Sequence, residues 1–229
     1  MLVKNWMSKQ VITIDENNSM NEAIGLLKEH NIRMLPVMKR HELVGIITDG
    51  DIKRASASDA TTLEMHELLY LISQIKVKEI MTKDPITVPQ NFTVEETAQI
   101  LLKNKISCAP VVDDQGQVMG IITQDDLFRV LISLTGASKR GIQLAFQVED
   151  RSGSIKEVTD VIRHYDGRMV SILTSYEDAP AGYRNVYLRV YQINREKLPQ
   201  LQKELGEKAK MIYMVDHREN KREIYTENY

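Results

Sequence analysis

Two short stretches of the sequence, here called the corners, carry the same polar residues at the same spacing. They are the stretches LVGIITDGDI at 43–52 and VMGIITQDDL at 118–127. Each predicts a buried strand that runs into a Thr-x-x-Asp motif and then into a helix. The motif residues are Thr48 and Asp51 in the first stretch and Thr123 and Asp126 in the second.

These residue types suit recognition of a phosphorylated sugar. The first N–H groups of a helix and a threonine hydroxyl can bind phosphate, and a carboxylate can accept hydrogen bonds from both ribose hydroxyls. Gly45 and Gly120, just before the motifs, would let a ligand approach the backbone. The same motif could instead be a helix cap alone. At an exposed terminus, each acid would then contribute only about 0.3–1 kcal/mol.

Motifs for catalysis or for a metal site do not accompany these corners. The single cysteine, Cys108, and the five histidines form no cluster with metal-ligand spacing, and Cys108 is expected to be a buried small apolar residue. The stretch HELLY at 66–70 fails as a zinc-protease helix, because Tyr70 stands where the second histidine is needed. We therefore expect a protein that is not an enzyme and has no metal or cofactor.

Composition narrows the class of partner. The chain of 229 residues has a net charge of −2 at pH 7, which does not point to nucleic acid or to an anionic membrane. Its first residues, MLVKNWMSKQ, lack the apolar core of a signal peptide, and no apolar run is long enough for a membrane span. The expectation is a cytoplasmic protein with neither nucleic-acid nor membrane partners.

The corners belong to a longer internal repeat. Residues 3–37 align with residues 77–111 at an offset of 74 positions. The second copy then has one extra residue, after which GIIT at 45–48 aligns with GIIT at 120–123. Both copies have a capping-box pattern, an amphipathic helix, a strand entered through proline, a turn, a second strand and a helix. The capping pairs are Ser19 with Glu22 and Thr93 with Glu96. A helix over 59–74 would bridge the copies.

Both copies contain the motif Gly-h-h-Thr-x-x-Asp, in which h is an apolar residue. Two such copies in one chain resemble a tandem pair of CBS domains, the arrangement called a Bateman module. The resemblance covers residues 1–135, with CBS domains at 1–58 and 75–135. It implies an adenosine-containing ligand in the cleft between the copies: AMP, ADP or ATP, with S-adenosylmethionine or a cyclic dinucleotide as alternatives.

The resemblance also implies a role for each matching position. Asp51 and Asp126 would hold ribose, and Thr48 and Thr123 would lie beside phosphate. Thr13 and Thr87 would flank the base with their backbones. Arg33 could meet a phosphate, or could equally be a surface residue paired with an acid. Ser107 occupies the place of Arg33 in the second copy, so we expect the site that receives Arg33 to bind a charged nucleotide better.

The C-terminal third predicts a different unit. Residues 140–216 show the order β-α-β-β-α-β of a ferredoxin-like fold, with a last helix KLPQLQKELG that ends at Gly206. This part resembles an ACT domain, which implies side-by-side pairing and a small amino acid held at the first loop by Asp150 and Gly153. Ser152 replaces the usual proline there, so a plain strand-to-helix turn is the alternative. The tail at 217–229 could fray or add a strand to a neighbour.

The predicted fold class of the whole chain is thus α+β. The predicted order is a CBS pair, a linker with the sequence SLTGASKRG at 133–141, and a C-terminal ACT domain. This order, with SASD after the first copy, resembles the AcuB-type acetoin-utilisation regulatory proteins. The resemblance implies a ligand-sensing homodimer that regulates an unidentified protein. The alternative is a structural oligomerisation module without a ligand.

Overall fold

The computed structural model describes residues 1–58 and 74–225, and of residues 56–58 it describes the backbone only. The predicted bridging helix at 59–74 therefore lies outside the described residues, apart from Gln74, and stays a prediction. Within the described part of the chain, no helix has the length and apolar character needed to cross a membrane.

The chain divides into two compact units, Met1–Val130 and Leu131–Tyr229. The first unit contains both copies of the repeat up to the last helix, and the second contains most of the C-terminal third. Helices and strands alternate in both units, as an α+β protein requires, and each unit has its own buried apolar cores.

The first copy has the predicted order of elements. They are β1 (Ile14–Asp15), α1 (Met20–Glu29), β2 (Met34–Lys39), β3 (Glu42–Thr48) and α2 (Asp49–Ser58). The predicted capping box is confirmed, because the Glu22 N–H donates to the Ser19 hydroxyl at 3.2 Å and the Ser19 N–H donates to the Glu22 carboxylate at 2.6 Å. Met20, Ala23 and Leu27 lie buried on one face of α1.

The second copy repeats this order. Its elements are α3 (Val77–Ile80), β4 (Thr82–Lys83), β5 (Val88–Pro89), α4 (Val94–Asn104), β6 (Cys108–Val112), β7 (Val118–Thr123) and α5 (Gln124–Leu134). Thr93 and Glu96 form the second capping box. The repeat extends to backbone irregularities: the β2–β3 register shifts after Val37, and the β6–β7 register shifts after the matching Val111.

The two copies exchange their leading segments. One sheet has the order β1-β2-β3-β4, in which β4 of the second copy pairs antiparallel with β3 of the first. The other sheet has the order β5-β6-β7, and Ser8 from the first copy pairs with Ile121 of β7 through N–H···O bonds of 2.9 and 3.0 Å. Val3 is likewise buried in the second copy's core, and Val77 in the first copy's core. Neither copy is complete without the other's leading segment.

This exchange explains the glycines before the corners. A Cβ atom on Gly120 would lie 2.8 Å from the carbonyl oxygen of Ser8, and one on Gly45 would lie 2.9 Å from that of Thr82. In each case the methionine before the exchanged residue lies closer still. The interpretation that these glycines leave room for a ligand is therefore wrong, because the exchanged segments occupy that space.

The second unit has the predicted order β-α-β-β-α-β. Its elements are β8 (Ile142–Glu149), α6 (Ser154–His164), β9 (Arg168–Ser175), β10 (Tyr183–Tyr191), α7 (Leu198–Lys208), β11 (Lys210–Asp216) and β12 (Lys221–Ile224). The antiparallel sheet has the order β12-β11-β8-β10-β9, so the first four strands of the unit lie in the split arrangement of a ferredoxin-like fold. Apolar faces of both helices cover one side of it.

Three details of this unit differ from the prediction. The glycine stop is wrong, because α7 continues through Gly206 to Lys208. Thr135, in the predicted linker, is packed against the sheet: its carbonyl accepts hydrogen bonds from Arg189 Nε at 2.8 Å and from the Ser171 hydroxyl at 3.0 Å. Both alternatives for the tail are wrong for Lys221–Ile224, because these residues form β12 and pair with β11 of the same chain.

Candidate functional site

Both Thr-x-x-Asp corners form the same closed set of hydrogen bonds. The N–H and hydroxyl of Thr48 donate to Asp51 Oδ2 at 2.8 and 2.6 Å, and those of Thr123 donate to Asp126 Oδ2 at 2.8 and 2.7 Å. In return, the aspartate N–H groups donate to the threonine hydroxyls at 3.4 and 3.3 Å. Each corner is thus a reciprocal cap, in which an aspartate takes the place of the usual glutamate.

An arginine forms an ion pair with the other oxygen, Oδ1, of each carboxylate. The Arg54 guanidinium donates to Asp51 Oδ1, and the Arg129 guanidinium donates to Asp126 Oδ1. The aspartates are 4% and 1% exposed, whereas the arginine side chains are 75% and 66% exposed. A ribose could therefore reach either carboxylate only if the exposed arginine moved aside.

A cavity of about 380 Å³, here the corner cavity, lies between the second copy's corner and the start of β2. Its volume is within the range of roughly 300–1,000 Å³ that is usual for small-molecule sites. Its apolar wall comes from Ile12, Ile32, Met34, Cys108 and Ile121. Its polar lining comes from Ser8, Gln10, Asn31, Arg33, Ser107, Thr123, Gln124 and Asp125.

A second cavity, here the lysine cavity, has a volume of about 580 Å³ and is lined by α1, the following turn, the first turns of α2, and Asp125. Its charged residues are Lys28, Arg33, Asp49, Lys53 and Asp125. Its remaining lining residues are Ile24, Leu27, Asn31, Ile32 and Ile52.

Arg33 lines both cavities and is exposed. Among the described residues, its guanidinium has neither a hydrogen-bond nor an ion-pair partner, so the alternative of a surface arginine paired with an acid finds no support there. Its backbone position repeats in the second copy: the Asp49 N–H donates to the Arg33 carbonyl at 3.4 Å, and the Gln124 N–H donates to the Ser107 carbonyl at 2.9 Å. The two copies therefore place an arginine and a serine at equivalent points.

Only some of the residues predicted to bind a nucleotide line either cavity. Arg33 from the first copy and Thr123 from the second line the corner cavity together. The predicted residues that line neither cavity are Thr13, Thr48, Asp51, Thr87 and Asp126. Thr13 is exposed, although its neighbour Ile12 lines the corner cavity. The roles assigned to these residues stay predictions.

Sequence reasoning missed several lining residues, above all Asp125, which faces both cavities. A signal was present, because Asp125 lies inside the second motif at the position where the first copy has Gly50. Lys28 and Lys53 likewise have no charged counterpart in the second copy.

Cys108 lies in the wall of the corner cavity and is 8% exposed. Burial raises the pKa of its thiol and outweighs a hydrogen bond with Ser107 that lowers it, and the Asp51 carboxylate adds a smaller effect that also raises it. The thiol therefore stays protonated near neutral pH and fits the expected role of a small apolar residue.

The first loop of the second unit does not hold a free carboxylate. Asp150 Oδ1 lies 3.6 Å from Arg184 Nε and accepts a hydrogen bond from the Tyr176 hydroxyl at 3.3 Å. Gly153 has φ of +88°, which is a left-handed conformation that favours glycine, just before Ser154 begins α6. This geometry suits the plain turn, because the Asp150 carboxylate already has a cationic partner in Arg184.

Comparison with known proteins agrees with the doubled fold of the first unit. The CBS domain model matches residues 3–58 and 77–133. CBS domain-containing protein YhcV of Bacillus subtilis is 30% identical over 128 residues, which are 55% of this chain and 81% of YhcV. L-aspartate semialdehyde sulfurtransferase of Methanocaldococcus jannaschii is 40% identical over 130 residues, but the match spans only 23% of that enzyme's length.

Solved structures give the same result. The CBS domain pair of protein MJ0100, in complex with 5′-methylthioadenosine and S-adenosyl-L-methionine, is 36% identical with a TM-score of 0.50, covering 61% of this chain and 98% of that chain. The CBS domain protein NE2398 is 30% identical with a TM-score of 0.50, covering 58% and 98%. With its two matched copies, the chain belongs to the CBS domain family.

Proposed function

We propose that the protein is a regulatory sensor that binds an adenosine-containing ligand in the corner cavity. The observation that carries the proposal is the meeting of Arg33 from one copy with Thr123 from the other, at a cavity with an apolar wall. An apolar wall suits a purine ring, and an unpaired guanidinium beside a helix start suits phosphate.

The solved relative supports the class of ligand. The MJ0100 CBS pair holds adenosyl compounds, and the present chain is similar to it over nearly all of that pair. Arg33 favours a phosphorylated member of the class, so AMP, ADP or ATP is the proposed ligand and S-adenosylmethionine is the alternative. In this proposal Ile12 and Ile121 contact the base, while Arg33 and Thr123 contact the phosphate.

The roles of the corner aspartates belong to the same proposal in a revised form. Asp51 and Asp126 would bind ribose hydroxyls after Arg54 and Arg129 release Oδ1, because Oδ2 remains bound by threonine. Thr48, Thr13 and Thr87 line neither cavity, and their places beside phosphate and base are proposed from the resemblance alone.

For the second unit, the proposal is an ACT module. Its ferredoxin-like strand order and its likeness to ACT domains support an ACT module. The pairing of Asp150 with Arg184 argues for an assembly role ahead of amino-acid sensing. The complete proposal is a cytoplasmic, homodimeric regulator of the AcuB type without catalysis of its own. Its ligand acts through different affinities for two arrangements of the regulated complex.

A second function has an observation in its favour. The Thr-x-x-Asp corners are satisfied entirely by groups of this chain, as a helix cap requires. A structural assembly module would need no more than this.

Equilibrium unfolding with and without nucleotide separates the two functions. A ligand at a hundredfold excess over its dissociation constant raises the free energy of unfolding by about 2.7 kcal/mol, and we expect this for at least one adenine nucleotide. Inorganic pyrophosphate at the same concentration is the control for simple anion binding. No stabilisation by AMP, ADP, ATP or S-adenosylmethionine would favour the assembly module.

A further inference from the structure

The lysine cavity adjoins the corner cavity. Asn31, Ile32, Arg33 and Asp125 line both, so a molecule bound in the corner cavity has the lysine cavity as its neighbour beyond Arg33. The inference that follows rests on the proposed function, because it concerns the part of the ligand that would extend past Arg33.

Within the part of the chain that the structure describes, the charged side chains facing the lysine cavity have no ion-pair partners. Lys28, Arg33 and Lys53 supply three cations, and none of them has an ion pair within the described residues. Two carboxylates, Asp49 and Asp125, face the same space and are equally unpaired there, which leaves a net charge of about +1 by simple charge counting. Because the cations outnumber the carboxylates in this cavity, a bound polyanion would be attracted to it and would lower the repulsion among the cations.

We infer that Lys28 and Lys53 bind the outer phosphates of a nucleoside diphosphate or triphosphate whose nucleoside occupies the corner cavity. Arg33, at the boundary of the two cavities, contacts the phosphate nearest the ribose. The two lysines are then specificity-determining residues, because adenosine, AMP and S-adenosylmethionine have no outer phosphates.

The second copy does not repeat this arrangement. The positions of Lys28 and Lys53 are taken there by Leu102 and Phe128, which are 74% and 59% exposed apolar residues. Together with Ser107 in place of Arg33, this leaves the second copy without any of the three cations. We therefore expect one triphosphate bound for each chain.

Asp49 gives a test of the opposite sign. It lines the lysine cavity but not the corner cavity, so its negative charge opposes the outer phosphates without touching the nucleoside. Removal of that charge is expected to strengthen binding of a metal-free triphosphate, whereas removal of either lysine charge weakens it.

Calorimetric titration of the full-length chain with adenosine, AMP and ATP, in the presence of EDTA, tests the inference. Lys28→Gln and Lys53→Gln are each expected to lower ATP affinity about five- to tenfold and to change adenosine and AMP affinity by less than about twofold. Asp49→Asn is expected to raise ATP affinity. Lys103→Gln, an exposed lysine near the end of α4 that lines neither cavity, is the matched control.

The outcomes distinguish the two proposals. If wild-type protein binds AMP as tightly as ATP, or if the lysine variants weaken AMP and ATP equally, the outer-phosphate inference is overturned while nucleotide sensing stands. If none of adenosine, AMP and ATP binds, this inference fails. The proposed function fails with it only if S-adenosylmethionine, titrated in the same way, does not bind either.

Discussion

At the scale of single residues, the corner aspartates show how one motif supports two roles. The pattern alone permits a cap or a ribose ligand, and the structure shows a complete cap in both copies. It also changes the expected cost of losing the acid, because Asp126 is 1% exposed whereas the sequence argument assumed an exposed helix terminus. An arginine follows each aspartate by three residues in the sequence, but the sequence alone did not predict that Arg54 pairs with Asp51 and Arg129 with Asp126.

Asp126→Ala is expected to lower the free energy of unfolding of the first unit by about 1–3 kcal/mol. The change leaves the N–H and hydroxyl of Thr123 without their acceptor in a part-buried place. Asp125→Ala, one residue earlier and exposed, should cost no more than about 1 kcal/mol. Denaturant titration followed by circular dichroism measures both. Equal losses for the two variants would contradict the buried cap.

At the scale of elements, the helices, their caps and the paired strands could be predicted because the signals are local. Capping boxes need only four residues, and apolar periodicity identifies the buried face of each helix. The exchange of leading segments could not be predicted, because the two copies have nearly the same residues around Ser8 and Thr82, which would suit either sheet. Only the three-dimensional pairing with Ile121 and Ile46 distinguishes them.

Gly120→Ala is expected to destabilise the first unit by about 1–3 kcal/mol, because the new Cβ would overlap the Ser8 backbone, which cannot withdraw without breaking its pairing with Ile121. Gly25→Ala is the matched control. It lies inside α1 with nothing within 4 Å of the added Cβ, so alanine should stabilise the helix by about 0.5–1 kcal/mol. The measurement is the unfolding free energy of each variant. If Gly120→Ala proved neutral, the exchanged packing would be in error.

Asp216, at the end of β11, makes the second unit sensitive to acid. Burial by itself raises the pKa of Asp216, but hydrogen bonds from Arg195 at 3.0 and 3.2 Å and from the N–H groups of Arg218 and Glu219 outweigh it, so the pKa lies below its ordinary value. A group whose pKa is lower in the folded than in the unfolded state stabilises the fold above its unfolded pKa of about 4. That stabilisation is lost as the pH falls through the folded pKa.

Asp216→Asn should therefore reduce the loss of unfolding free energy between about pH 5 and pH 2. Asp178→Asn, which replaces an exposed carboxylate without an ion pair among the described residues, is expected to keep the wild-type dependence. Denaturant titrations across this range measure the slopes. A wild-type slope in Asp216→Asn would show that the Arg195 pair has no such effect.

At the scale of the whole molecule, the sequence predicted a doubled first unit followed by a ferredoxin-like second one, because repetition and a change of periodicity are visible along the chain. It also predicted the asymmetry of Arg33 and Ser107, which the structure places at equivalent backbone positions. It could not predict which side chains line a cavity. Lining depends on burial across elements far apart in sequence, as in the meeting of Lys28, Lys53 and Asp125.

The central claim is that an adenine nucleotide binds where Arg33 meets Thr123. The most direct measurement is the calorimetric affinity of ATP for the wild-type chain, for Arg33→Gln, and for Arg40→Gln, which changes an exposed arginine in the β2–β3 turn that lines neither cavity. A charge-assisted hydrogen bond contributes about 1.5–3 kcal/mol, so Arg33→Gln is expected to weaken ATP roughly ten- to a hundredfold while Arg40→Gln binds like wild type. Wild-type affinity in Arg33→Gln, or no binding by the wild-type chain, would contradict the claim.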